Sequence, residues 1–288
     1  MVVHIFGATS SPSCATFALQ QCARDNIANF DPEVTQTVLR NFYVDDCLKS
    51  INSEQEAILL AKNLIRLCAT GGFKLNKWIS NSRSLLLSIP EQILAQEIKD
   101  LDLNQDALPN ERALGVQWSI QSDAFVFKIH LQDKPLTRRG ILSMVSSIYD
   151  PLGMLAPVIL SAKQILQELC GLRLAWDDPI PGNLHRRWLS WLTDLSQLEK
   201  FKVRRCLLPE NFGTLTSAQL HHFSDASESG YGTVSYLRLQ DDEHKVHCAF
   251  VMGKARVVPL KPITIPRLEL TAATMPVRIG IIMADERK

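Results

Sequence analysis

The stretch HHFSDASESGYGTVSYL, residues 221–237, ends a run of alternating residues on Asp225, passes through a Ser- and Gly-containing turn, and re-enters an alternating run. That is the pattern of two strands joined by a tight connection, with a carboxylate at the end of the first. An Asp before a turn is common, so the pair of strands alone says little about chemistry. Working outward, AQLHHFSDASESGYGTVSYLRL and KVHCAFVMGKARV read as consecutive strands, and TIPRLELTAA opens a helix near Pro266 that carries Glu269 in its first turn, 44 residues after Asp225.

Upstream the texture is helical. Gly140 to Tyr149 and Val158 to Leu172 read as helices on either side of DPLGMLAP, which Pro151, Gly153 and Pro157 interrupt. Leu184, Trp188, Trp191, Leu192, Leu195 and Leu198 add an amphipathic helix behind Pro181-Gly182, with Asn183 as N-cap. Arg186, Arg187, Lys200, Lys202, Arg204 and Arg205 flank it; with Arg138 and Arg139 they are candidates for contacts to a duplex backbone, and solvated helix faces explain them equally well.

Nearer the N-terminus, Ser11-Pro12 reads as a helix start, with Ser11 as N-cap. VLRNFYVDDCLKSI reads as two short strands meeting at Asp45-Asp46, Ser53 with Glu56 as a capping box, Gly71-Gly72 as a helix end, FKLNKWI as a strand, and ALGVQWSIQSDAFVFKIH as a hairpin turning near Gln121 to Asp123. Adjacent carboxylates such as Asp45 and Asp46 repel, so they sit either on a solvated polar turn or where a cation absorbs the charge.

Composition bounds the class. With 288 residues, 46% hydrophobic and 21% charged, the chain is an ordinary globular one with room for two or three modules. The net charge of +1 leaves a weak overall field, so a nucleic-acid partner has to be met by local basic patches. Seven cysteines without a CxxC pair fit reduced thiols, and His244, His247 and Cys248 read as scattered strand residues with no zinc assigned. The start MVVHIFGATSSP lacks the pattern of a signal peptide and no membrane-length apolar run appears, so the expected location is intracellular, cytoplasmic and particle-associated or nuclear.

FGATSSPSCATFAL (6–19), YVDD (43–46), GGFKLNKW (71–78) and LGVQW (114–118) resemble, in order, the palm motifs B to E of reverse transcriptases. The phrase LTRRGILSMVSSIYDPLGMLAPVILSAKQILQEL with LAWDDPIP is similar to the segment that follows the palm in BEL/Pao-type long-terminal-repeat retrotransposons, and the resemblance covers nearly the whole chain. It implies an α+β chain made of part of a polymerase palm (1–132), a helical thumb or connection region (133–215) and an incomplete ribonuclease H-like α/β domain (216–288).

It also implies roles. Asp45 and Asp46 would ligate Mg²⁺ (or Mn²⁺) for polymerisation, Tyr43 would sit under the primer end, and Gly7, Ser11 and Pro12 would pack near the template and incoming dNTP. Lys77, with Lys74 second, would assist the leaving phosphate, and Gly115 to Trp118 would grip the primer. Asp225 and Glu269 would hold the metals of the ribonuclease H site. The implied partners are an RNA template, a DNA primer, an RNA/DNA hybrid and the rest of the Pol polyprotein, with no membrane.

Three departures from the pattern stand out. The palm strand bearing the other metal-binding aspartate is expected before residue 1, and Asp25 and Asp31 do not replace it. Phe6 stands where many relatives carry glutamine. The later ribonuclease H aspartate is expected on a strand beyond the last helix, for which Asp285 is no substitute. The expectation is therefore a chain inactive on its own, with a nucleic-acid-binding remnant as the alternative. An aspartic peptidase is disfavoured, because SDAS and ESG do not supply the Asp-Thr-Gly or Asp-Ser-Gly loop that chemistry needs.

Overall fold

The computed structural model describes residues 8–129, 131 and 133–285 of an α+β chain that divides into two compact units, Met1–Asp123 and Ala124–Lys288. Gly7 and Phe6 lie outside the described residues, as does the side chain of Asp285.

In the first unit, α1 (Ser11–Asp25) starts one residue earlier than expected: Ser10 takes the N-cap position, and no side-chain bond closes the cap. A second helix, α2 (Pro32–Arg40), replaces the strand expected over Val38 to Arg40. The Asp31 carboxylate accepts the Glu33 N–H, Pro32 sits at the first helical position, and Val34 and Val38 bury one face, so a capped start overrides the β preference of the valines. The hairpin that follows is very short, with β1 (Phe42–Tyr43) and β2 (Asp46–Cys47) joined by Val44-Asp45. Next, α3 (Glu54–Thr70) is capped by Ser53, whose hydroxyl accepts the Glu56 N–H, and buries Leu60, Leu64, Leu67 and Cys68. Burial pushes the Cys68 thiol up to about 12, with the neighbouring Cys22 adding to the shift.

No strand forms over FKLNKWI, apart from a single parallel bridge from Trp78 to Leu94. Lys77 has φ 58°, which breaks the extended run, and on the partner side a 3-10 turn (Glu91–Ile93) and α5 (Gln96–Lys99), after α4 (Arg83–Ser88), leave nothing to pair with. Then β3 (Asn110–Ala113) and β4 (Val116–Ser119) form a hairpin that reverses at Leu114-Gly115, where φ is 49° and 82°. Two positive φ values in succession are the type I′ geometry that matches strand twist, and Gly115 supplies the second without strain. The turn expected at Gln121 to Asp123 is present too, with the Asp123 N–H bonded to the Ile120 carbonyl, but it follows the tight hairpin.

The second unit opens with β5 (Ala124–Val126), which pairs with β6 (Lys202–Arg204). Between them α6 (Arg138–Ser146), α7 (Ala156–Gly171) and α8 (Gly182–Leu195) enclose a core of Ile141, Met144, Leu155, Ile165, Leu169, Leu184, Trp188 and Leu195. Trp188 and Trp191 stack at 4.7 Å, and the Trp191 indole donates to the Val158 carbonyl. Arg138 lies 4.1 Å over the Trp176 ring and Arg139 pairs with Asp177, which ties the start of α6 to the loop after α7.

Three strands of equal length, β7 (Leu215–Ala226), β8 (Gly230–Asp241) and β9 (Val246–Val257), form an antiparallel sheet in that order. The Asp241 carboxylate, fully buried at the β8–β9 turn, accepts from the N–H groups of Gly213, Glu243 and Lys245. On one face lies α9 (Ile265–Asp285), which presents Leu268, Ala272, Met275 and Ile279 to the sheet and carries Pro276 in its interior. Gly280 of α9 packs over His222, whose Nδ1 is 2.7 Å from the buried Ser235 hydroxyl. On the opposite face α7 sets Leu160 under Gly230, while the backbones of Gly153 and Gly253 meet closely and the Gly253 N–H donates to the Leu152 carbonyl.

Candidate functional site

The Asp45–Asp46 hairpin shows how a carboxylate tip is built from very little. Phe42 faces Cys47 across the strands and packs onto the core beneath, so alternation turns Tyr43 and Asp46 to the other side. Tyr43 is 68% exposed, and Asp45 and Asp46 are exposed as well. Val44 holds φ 57°, a strained value for a β-branched residue and one that a two-residue hairpin demands of its first loop position. Asp45 is thus in the loop, whereas Asp46 belongs to the strand.

The other palm positions are dispersed over the first unit. Pro12 at the start of α1, Lys74 and Lys77 on the segment after α3, and Gly115 in the β3–β4 turn are all exposed, and Ser11 is half-buried. The Trp118 indole donates to the Asp123 carboxylate at 2.9 Å and its ring packs against a second core formed by Leu85, Leu86, Ile98 and Ile120, which is a structural role.

Asp225 and Glu269 are brought to the same end of the sheet. The end of β9, Val257, pairs with Gly230 beside the β7–β8 turn, so the connection 258–264 delivers the start of α9 to the end where Asp225 stands. Gly280, three turns beyond Glu269 and on the same flank of the helix, rests on His222. Measured from that contact, Glu269 lies about 16 Å along the helix. Asp225 lies about 10 Å along the strand in the same direction.

Both side chains are exposed, and the Asp225 carboxylate accepts the N–H of Ala226. Alternation from His222 places Asp225 on the sheet face away from α9, so Asp225 and Glu269 flank β7 from opposite faces of the sheet. Two exposed carboxylates suit a hard cation such as Mg²⁺ or Mn²⁺ that takes its other oxygens from water and phosphate. Among the described residues no three His, Cys, Asp or Glu side chains gather closely enough to make a fuller cage.

The basic stretch is largely committed elsewhere. One terminal nitrogen of Arg187 donates to both Glu168 carboxylate oxygens at 2.7 Å, Arg204 pairs with Glu210, and Arg139 holds the Asp177 carboxyl below its ordinary value. Arg186 and Lys202 are exposed. His222, Ser235 and Gly280, which join β7 to α9, escaped the sequence reading; the one available signal was a glycine inside a helical pattern.

No helix among the described residues is long and apolar enough to cross a membrane. The model of one protein family, described as Pao retrotransposon-like RNaseH-like domain, matches residues 137–288, just over half of the chain. No curated protein matches it.

Proposed function

The chain belongs to the Pao retrotransposon-like RNaseH-like domain family, and from that premise we propose that it is part of a retrotransposon Pol polyprotein whose parent activities are RNA-directed DNA synthesis and degradation of the RNA strand of a hybrid. The observation that carries the ribonuclease H half of this reading is the delivery of Asp225 and Glu269 to one end of the sheet, on the β7 side. They would hold Mg²⁺ or Mn²⁺, an ion that polarises a phosphoryl oxygen and acidifies a bound water. The chain itself contributes the exposed edge that lets a sugar-phosphate backbone reach both carboxylates, and Arg186 and Lys202 as sequence-independent contacts.

The polymerase half rests on the first unit. Asp45 and Asp46 would bind the same kind of ion at the palm, with Tyr43 beside the primer end and Ser11, Pro12, Lys77, Lys74 and Gly115 around template, primer and dNTP. The support for it is a solvent-facing aspartate pair on a two-residue hairpin anchored to a core by Phe42.

A second reading, nucleic-acid binding without turnover, is favoured by the size of each carboxylate set: two groups in each place hold a divalent ion weakly and leave the reacting oxygens poorly positioned. One experiment separates the readings. Mn²⁺ titration of the full chain, followed by paramagnetic broadening, is expected to show binding that Asp225→Asn and Glu269→Gln each weaken. Hybrid binding that falls with salt is expected beside it, with neither primer extension nor hybrid cleavage by the chain alone. Mn²⁺ binding indifferent to both substitutions would overturn the site; cleavage abolished by Asp225→Asn would establish turnover.

A further inference from the structure

Between α7 and α8 the stretch LAWDDPIP, residues 174–181, is anchored on both sides of an exposed indole. Leu174 and Ile180 pack against the helical core, while Trp176 stays out of it and is 43% exposed. None of the other four tryptophans is exposed. The chain around the ring is held at several points: the Trp176 carbonyl accepts the Arg139 N–H, the Asp178 carboxylate accepts the Ala175 N–H, and Pro179 forms an isolated bridge with Thr137. An exposed apolar residue is commonplace by itself. What sets Trp176 apart is that its place is fixed and that its two faces are treated differently.

The Arg138 guanidinium lies 4.1 Å over one side of the ring and is steadied by its bond to the Leu174 carbonyl. Arg139 stands farther out, at 5.8 Å, pinned by both oxygens of Asp177. The open surface of the indole therefore belongs to its other face and its edge. Exposed cations adjoin it in the same part of the fold: Arg173, just before Leu174, and Lys134, which packs beside Gly140 in the first turn of α6.

We propose that Trp176 is a stacking platform for an unpaired nucleobase of a single-stranded nucleic acid. The base completes a guanidinium–indole–base stack with Arg138, and Arg173 and Lys134 supply charge for the flanking phosphates. Such stacking tolerates any sequence, because every base has a π face, whereas a base inside a duplex has both faces covered by its neighbours. A ring already fixed by its loop adds no ordering cost on binding. The inference rests on the nucleic-acid reading of the chain and on neither carboxylate pair, so single strand and hybrid are measured side by side.

The test is fluorescence anisotropy of the full chain with short labelled single strands, one of RNA and one of DNA, beside an RNA/DNA hybrid of the same sequence. Trp176→Ala is expected to raise the dissociation constant for at least one single strand about tenfold and to leave hybrid affinity and its salt slope unchanged. Trp176→Phe, which keeps an aromatic face, is expected to stay within about threefold of the parent. Intrinsic emission gives a readout that a purely structural ring would not move: an unlabelled single strand is expected to quench tryptophan fluorescence in the parent and not in Trp176→Phe. Circular dichroism of both variants is expected to match the parent. No single-strand binding, single-strand affinity indifferent to Trp176→Ala, equal losses for single strand and hybrid, or quenching that survives in Trp176→Phe would each overturn the platform. Single-strand binding through Trp176 without any hybrid binding would support it and count against the ribonuclease H reading alone.

Discussion

Single side chains carry much of what can be tested. Asp241 is buried and its carboxylate satisfies three backbone N–H groups from two segments of chain. Asp241→Asn keeps the shape but turns an N–H-bearing group toward those donors, so a loss of about 1–3 kcal/mol is expected in denaturant unfolding. Val44 is a contrasting case, since its positive φ is a cost already built in. Val44→Gly removes about 1–2 kcal/mol of left-handed strain and adds roughly 1 kcal/mol of chain entropy to the unfolded state. A near-neutral or slightly raised melting temperature is therefore expected. At Asp177 the Arg139 guanidinium lowers the carboxyl pKa in the folded state. A lowered folded value means stability that is present above the ordinary carboxylate range and is lost as pH falls through the folded value. Stability should consequently fall less steeply below about pH 4 in Asp177→Asn, which is slightly less stable than the parent near neutrality and converges with it in acid, as read by unfolding across pH.

Elements show where local sequence was sufficient. The three strands and the final helix follow their patterns closely, because alternation from Leu215 to Val257 and the spacing of Leu268, Ala272, Met275 and Ile279 are signals each segment carries alone. What failed was decided by context. Val38 to Arg40 joined a helix because Asp31-Pro32 begins it several residues earlier, and Lys74 to Ile79 stayed irregular because no neighbouring strand is available to complete a ladder. For the site, Asp225 and Glu269 were legible as residue types at a spacing, but their common end depends on β9 returning beside β8 and on the Gly280–His222 contact, which are tertiary facts. Packing of α7 on the sheet depends on another backbone meeting, between Gly153 and Gly253. A Cβ on Gly153 would run into the Gly253 carbonyl, and its φ of 71° already disfavours a side chain. Gly153→Ala is expected to destabilise the second unit by about 3 kcal/mol or more, measured by chemical unfolding, with chymotryptic cleavage after Tyr149 or Leu152 becoming faster.

Over the whole molecule, the near-neutral charge and the committed arginines predict modest electrostatics. Affinity for a hybrid duplex should fall with a shallow logarithmic salt slope, and Arg186→Ala should reduce that slope by about one. Stability is carried by separate cores within the two units. Leu169→Ala, at a fully buried position of the helical core, is expected to cost about 2–5 kcal/mol in the transition reported by the stacked Trp188 and Trp191. Resistance to local opening will not be uniform either. Pro276 has no amide hydrogen, so it cannot close the backbone bond to Ala272, and α9 is energetically two helices end to end. Amide deuteration should divide the helix there, with slow uptake around Leu268 to Met275 and faster uptake from Val277 onward. Glu269 lies in the protected part, and its position is insulated from fraying at the far end of its own helix.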